Sequence, residues 1–561
     1  MSDAPQFTRW FDDVLAAYLR WHPVNATFIG VHENDHRLPN LSEQGLADVA
    51  TEAESLIRRM ETLPRETLTQ SETIDRRLAL GMLEIEEWEQ TGDHMWRGNP
   101  SLAVGEAVFG VMSLFLRDYA PLPQRVESAI ARLDAMPAML EQARATIRSA
   151  PLAWTQRATN ECEGGLAFLN VGVDQLMAEK GIDDKRLRDT AEQASAALAD
   201  FRAYLRDEVR SRPTETLACG GEALDLLIRR GHQLDQTAEQ MEEQAWVVLR
   251  ETESRLTRMA NEHGDDDWRA SLRRLAHEHP TAENYDSRYG EVWVAARQAA
   301  LDADLLTWPD YPIRYVPRPL WTRQAAPHLY FLFYRAPAAF DSVPIVDYLI
   351  APLDRDASPE EQERFLRANN ESVITQNHVV HHGGIGHHVQ NWHAYRAESR
   401  IGKIAAVDCA SRTAMLCGGT MAEGWACYAS ELMAETDLYS PLERLSLTHT
   451  RLRMAARAIV DVQLHTGRMT LDEAAAFYED RTAMSAGAAH QEAVKNSMFP
   501  GAALMYLVGT DLIWNLRREL EREEGDSFNL RRVHDTFLSH GSIPVKLIAD
   551  AMTSETSFHA T

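Results

Sequence analysis

Residues Thr237–Ala260, TAEQMEEQAWVVLRETESRLTRMA, decide the fold class. Apolar side chains recur there every three or four positions, with acidic and basic residues between them. This is the period of an amphipathic helix, not the strict alternation of a strand. The same period runs through Phe11-DDVLAAYLRW, Leu46-ADVATEAESLIRRMETL, Val126-ESAIARLDAMPAMLEQARATI and Leu187-RDTAEQASAALADFRAYLRDEVRS. Pro64, Pro151, Pro213, Gly220-Gly221 and Pro280 punctuate the series. The chain therefore reads as mostly α.

One region breaks the pattern. Residues 308–353 are rich in proline and aromatics, as in TWPDYPIRYVPRPLW and HLYFLFYRAPAAF. The runs Ile313-RYV and Leu329-YFLFY read as short strands of a small β ribbon, whose edge can bind an extended substrate by backbone pairing. Helices are expected again from Pro359 to about Glu398, from Ser411 to Thr466, and from Leu471 to the end. The break between an N-terminal helical lobe, 1–300, and a second lobe, 301–561, is expected near residues 280–310, with a deep cleft between the lobes.

Composition bounds the function. The chain has 561 residues, 57 Lys plus Arg and 84 Asp plus Glu, a net charge of −27. That balance argues against nucleic acid and anionic membrane as partners. Five cysteines without zinc-finger spacing, and an N-terminus without a basic-then-apolar layout, predict reduced thiols in a cytoplasmic protein. No run of eighteen apolar residues is present. The partner expected is a small-molecule or short peptide-like substrate, bound by the chain alone or as a homodimer.

The chemistry concentrates in Asn377-HVVHHGGIGHHVQNWH, with histidines at 378, 381, 382, 387, 388 and 393. Imidazole is the commonest protein metal ligand. On a straight helix His378 and His382, four apart, share a face and can hold one ion. His381 and His387 are six apart, about 9 Å along the axis and pointing about 120° apart, so an ideal helix cannot bring both to one ion. Gly383, Gly384 and Gly386 lie between them and permit a bulge or break. Both pairs remain open on the residues alone. Glu423, in a predicted helix downstream, supplies an acidic ligand.

The segment His381-HGGIGHHVQ resembles the HExxPGHHxQ signature of the bacterial family called domain of unknown function 885, whose members are regarded as zinc-metallopeptidase-like. Further stretches are similar to that family in the same order. They are Tyr18-LRWHPVNATFIGVHENDHRLPNLS, Glu423-GWACYASEL, Arg457-AIVDVQLHTGRMTLDEA, Pro500-GAALMYLVGTDLIWNLRREL and Phe528-NLRRVHDTFLSHGSIPVKLI. The resemblance implies a two-lobed helical zincin-like fold. It also implies a divalent metal, zinc first, held by His381, His387 and Glu423 with a water in the open position. It shifts the preference from the pair His378 and His382 to His381 and His387.

One departure bears on the reaction. The family's glutamate, the expected general base, is replaced by His382, and its proline by Ile385. A histidine can take the proton but becomes a cation beside a cation, which weakens it as a base. The resemblance therefore implies a metal-dependent hydrolase of an amide, peptide-like or related small-molecule bond, with a metal-bound water, His382 as base and poor activity on ordinary peptides. The alternatives are a non-hydrolytic metalloenzyme, a lyase or oxygen-using enzyme, with His382 in the metal shell, and an inactive metal- or peptide-binding protein. Other candidates are Tyr506 as an oxyanion donor and His465, paired at four residues with Asp461, as a catalytic or orienting group. His388 and Gln390 are expected to support the ligands. His534 and His540 are expected near the cleft, and Glu431 and Glu435 to be solvated.

Overall fold

A computed structural model describes residues 6–63, 68–329, 339–341, 345–406 and 417–559, with side chains to Thr553. The protein is mostly helical, as the periodicity predicts, and among the described residues its sheet is a two-stranded parallel one. Two compact units form: Met1–Cys219 with Arg318–Pro344, and Gly220–Pro317 with Ile345–Thr561. This differs from the boundary expected near 280–310. The helix Ala238–Glu262 lies along Pro441–His465, which draws the whole 220–317 segment into the second unit.

In the first unit the helices start where the sequence caps them. Ser42 accepts from the Gly45 amide ahead of Glu43–Thr62, and Thr69 forms a reciprocal capping box with Glu72 ahead of Gln70–Thr91. Asn99 caps Pro100–Met112, whose first residue is a proline that needs no amide partner. The His-Pro and Gly-x-His pattern near the N-terminus is structural. Pro23 opens the short helix Pro23–Ile29, and Gly30 ends it in a left-handed conformation at φ 91°. Arg132, fully buried, donates to the carbonyls of Pro23, Arg37 and Gly110 and to the Thr27 hydroxyl. His32 stacks on Tyr119, with ring centroids 3.7 Å apart, and is held between Asp35 and Asp341. Burial disfavours its charge, but the Asp341 and Asp35 hydrogen bonds win and push its pKa up to about 9.

In the second unit, strands β1 (Ile313–Pro317) and β2 (Val346–Ile350) pair in parallel, with Tyr315 opposite Tyr348. Parallel strands need a long return connection. Here it is the segment 318–344, which belongs to the first unit. The Ile313 strand agrees with expectation. The expected strand Leu329-YFLFY, beyond Leu329 itself, and the start of the helix expected at Ser411 lie outside the described residues. The sheet serves the histidine segment. The Tyr348 hydroxyl shares a 2.7 Å hydrogen bond with His378 Nδ1, and the Tyr315 ring packs beside Tyr348.

The helices Met421–Leu432 and Met505–Glu524 cross in close contact. A Cβ at Gly424 would lie 2.7 Å from the Gly509 Cα, and one at Gly509 would lie 2.2 Å from the Thr420 carbonyl oxygen. Only glycines allow backbones to approach so closely. The crossing sets Glu423 on one helix beside the turn of the other that carries Tyr506.

Candidate metal centre

The histidine segment does not form a regular α-helix. Val373–Gly383 is wound as a π-helix, a form rare in long runs and frequent at functional sites. It stops at the glycines, and a new helix starts at His387. The Gly386 amide donates back to the Val380 carbonyl at 2.9 Å, folding the chain onto its own preceding turn. A Cβ at Gly386 would lie 1.9 Å from the His381 carbonyl oxygen, and one at Gly383 would lie 2.1 Å from the Tyr315 hydroxyl. This tight fold overcomes the six-residue spacing. The His381 and His387 rings stand edge to face with centroids 4.9 Å apart.

Glu423 faces both rings from the helix Met421–Leu432. Its Oε2 lies 3.1 Å from His381 Nε2 and 3.7 Å from His387 Nε2. Donor atoms at 2.0–2.1 Å from one tetrahedral ion sit about 3.3 Å apart. The two separations bracket that value, so the Glu423 carboxylate oxygen is placed to share a divalent ion with either imidazole. His387 has no exposed side-chain surface, Glu423 has 4% and His381 has 14%, so the group opens on the His381 side.

The supporting bonds fix which atoms face the centre. His387 Nδ1–H donates to Gln390 Oε1 at 3.1 Å, leaving Nε2 as the lone pair. Gln390 Nε2 in turn donates to the Met421 carbonyl at 3.1 Å. Trp425 Nε1–H donates to the Ile385 carbonyl at 2.9 Å and ties the glycine turn to the Glu423 helix. His382 Nδ1–H donates to the Asn377 carbonyl at 2.7 Å, so its Nε2 also keeps a lone pair.

Electrostatics sort the protonation states. Burial is the main cause that holds His381 below the usual imidazole range, outweighing its bond to Glu423. Burial, then His381 and His387, hold His382 well below it. Burial disfavours charge on Glu423 too, but its hydrogen bonds to His381 and His387 prevail and hold the carboxyl well below the ordinary range. Neutral imidazoles beside an ionised carboxylate are the states a cation requires.

Among the described residues two groups bring all their donor atoms within 4.8 Å of one another, His381 with His382 and His387, and His381 with Glu423 and Cys427, so the expected ligands His387 and Glu423 fall in different groups. His381 is common to both. Among the described residues His378 belongs to neither, and its Nδ1 is engaged by Tyr348. Cys427 was not expected here. The signal was its position four residues after Glu423, which puts both on one helix face.

Other expected residues lie elsewhere. His465 is fully buried; its Nε2 meets the Asn496 carbonyl at 2.9 Å and lies 3.6 Å from Asp461. Asp461 accepts from the amides of Gly501 and Leu504. The pair clamps the turn before Met505–Glu524, which corrects the expectation that His465 acts on substrate. His534 is likewise buried between the Leu305 carbonyl and the Tyr428 hydroxyl, and His540 caps the helix Leu530–Ser539. His388 is stacked on Tyr311 and donates to its carbonyl, so it anchors the segment. Glu431 is not simply solvated: it accepts from Arg451 and Trp514, while Glu435 pairs with Arg517. Tyr506 is half-buried, with the Arg457 guanidinium 4.8 Å over its ring.

The pattern of a bacterial family of unknown function, DUF885, matches residues 23–552. The chain belongs to DUF885. No curated protein matches this DUF885 chain. Two solved structures share its fold. One is "a putative lipoprotein of unknown function" from Shewanella oneidensis, 22% identical, with a TM-score of 0.77 over 98% of this chain and 100% of that one. The other is "the putative lipoprotein from Colwellia psychrerythraea", 15% identical, with a TM-score of 0.77 over 97% of each chain. These relatives overturn the cytoplasmic placement expected from the cysteines and N-terminus, which is withdrawn. Among the described residues, no helix is long and apolar enough to cross a membrane.

Proposed function

We propose that this DUF885 chain is a metal-dependent hydrolase of an amide, peptide-like or related small-molecule bond. The observation that carries the reading is the convergence of His381 Nε2, His387 Nε2 and Glu423 Oε2, with separations of 3.1 and 3.7 Å to the shared carboxylate oxygen. Zinc is the first choice of ion, because two imidazoles and one carboxylate form a common catalytic zinc set. When bound, such an ion polarises a carbonyl and acidifies water. The chain supplies the remainder. His382, kept neutral by burial and by the neighbouring imidazoles, accepts a proton beside the centre. Tyr506 offers a hydroxyl from the neighbouring helix to an oxyanion.

A second reading is favoured by one observation. His382 lies within ligand distance of His381 and His387, and Cys427 within that of His381 and Glu423. A nitrogen- and sulfur-rich set suits iron or copper and a non-hydrolytic reaction. Elemental analysis of the purified chain, paired with an assay on N-acyl amino acids and dipeptides, tests both readings. Zinc at one per chain with turnover supports hydrolysis. Iron or copper without hydrolysis supports the second reading, and an absence of metal sinks both.

A further inference from the structure

Arg453 and Arg457 sit one turn apart on the helix Pro441–His465 and so share a face. Like charges at that spacing repel. Glu492 is the carboxylate that answers them: Arg457 Nε donates to its Oε1 at 2.6 Å. Arg453 Nε is buried and has no hydrogen-bond partner among the described residues. Burial, then the neighbouring Arg457, draws the Arg453 pKa down to about 10, so two guanidinium charges face one acid. A buried donor without a partner is costly, and two confined cations with one counter-ion are costlier still. An anion arriving from outside would relieve both costs.

Arg457 is also linked to the candidate centre. Arg457 lies over the Tyr506 ring, and Tyr506 is one turn before Gly509, which crosses Gly424 next to Glu423. The Arg457 charge is among those felt at His381. Arginine forks match carboxylates in plane and spacing.

We infer that Arg453 and Arg457 receive a carboxylate of the substrate and set it beside the bond to be broken. This rests on the hydrolase reading for its reaction, though not for the binding itself. It narrows the substrate to one with a free carboxylate near the scissile amide, such as an N-acyl amino acid or the C-terminal end of a short peptide.

Calorimetric titration of the full chain with N-acetylglycine, N-acetylglycinamide and methyl phosphate tests the inference through binding rather than through rate. Saturable binding of N-acetylglycine and none of the amide is expected. Arg453→Gln and Arg457→Gln should each weaken that binding on the order of 10- to 100-fold, and Arg457→Lys, which keeps the charge but not the fork, should fall between. Melting curves identify any variant that fails to fold, and the acid-against-amide comparison in the unmodified chain needs no variant. Equal binding of acid and amide, methyl phosphate bound in place of the acid, or affinities unchanged in both folded variants would each overturn it. Binding that survives chelation in a chain without hydrolase activity would uphold the receptor and sink only the hydrolase reading.

Discussion

Gly386 touches the backbone of His381 so closely that a Cβ on it would lie 1.9 Å from the His381 carbonyl oxygen. The contact is what lets His387 return to the face that carries His381. Gly386→Ala should therefore spread the two rings. A loss of about 1–3 kcal/mol of stability is expected, the usual cost of overpacking, together with loss of bound metal. Urea denaturation and elemental analysis check it; a variant with native stability and full metal would refute the role of this glycine.

The ligand set makes a second prediction. His381→Ala and Glu423→Ala should each lose the ion while circular dichroism stays helical, because neither side chain contributes to the apolar core. If both retain stoichiometric metal, the centre is elsewhere.

His382 gives a prediction with two arms. As a base, His382→Ala keeps its metal and loses on the order of 10²–10⁴-fold in rate. As a ligand, the same variant loses metal and rate together. His382→Glu restores the residue of the family signature and should raise turnover of ordinary peptides. Full metal and full activity in His382→Ala would leave it a bystander.

Much of this was legible in the sequence, and the limits have physical causes. The helical fold follows from the apolar period, and Glu423 stood out as an acid on a helix downstream of the histidines. The choice between His378 with His382 and His381 with His387 could not be made from spacing, because spacing assumes 3.6 residues per turn. The segment instead winds as a π-helix and then folds back at Gly386. Asp461 and His465 show the converse. Four-residue spacing places them on one face whether they act on substrate or clamp a turn, and only their complete burial decides. Cys427 carries no disulfide or zinc-finger spacing, and only its four-residue offset from Glu423 on one helix face points to the centre.

Metal retention should depend on pH in one direction. The His381 pKa lies below its ordinary value of 6.5, and Glu423 lies well below its ordinary 4.5. A lowered pKa keeps each group deprotonated to a lower pH than usual, so the donors stay competent on the acid side of neutrality. The midpoint for metal release on acidification is expected below pH 6.5. Equilibrium dialysis over a pH series measures it, and release centred above that value would contradict the burial-driven shift.

Gln390→Met removes the acceptor of His387 Nδ1–H and the donor to Met421 while roughly keeping volume. Metal affinity should fall on the order of 10- to 100-fold, as for other groups that orient a ligating histidine. Competition with a calibrated chelator reads the change, and unaltered affinity would show that packing alone orients His387.

The Gln390 bridge has a mechanical consequence. It links His387 to the backbone at Met421, two residues before Glu423, while Trp425 ties the same turn from the other side. Two of the three donors are thus mounted on one strut, and His381 is mounted on another, the π-helix. An ion drawn to this centre would act as a rivet between the two. Its capture would stiffen the joint at Gly383–Gly386, and its release would loosen that joint while His387 and Glu423 stayed in mutual register.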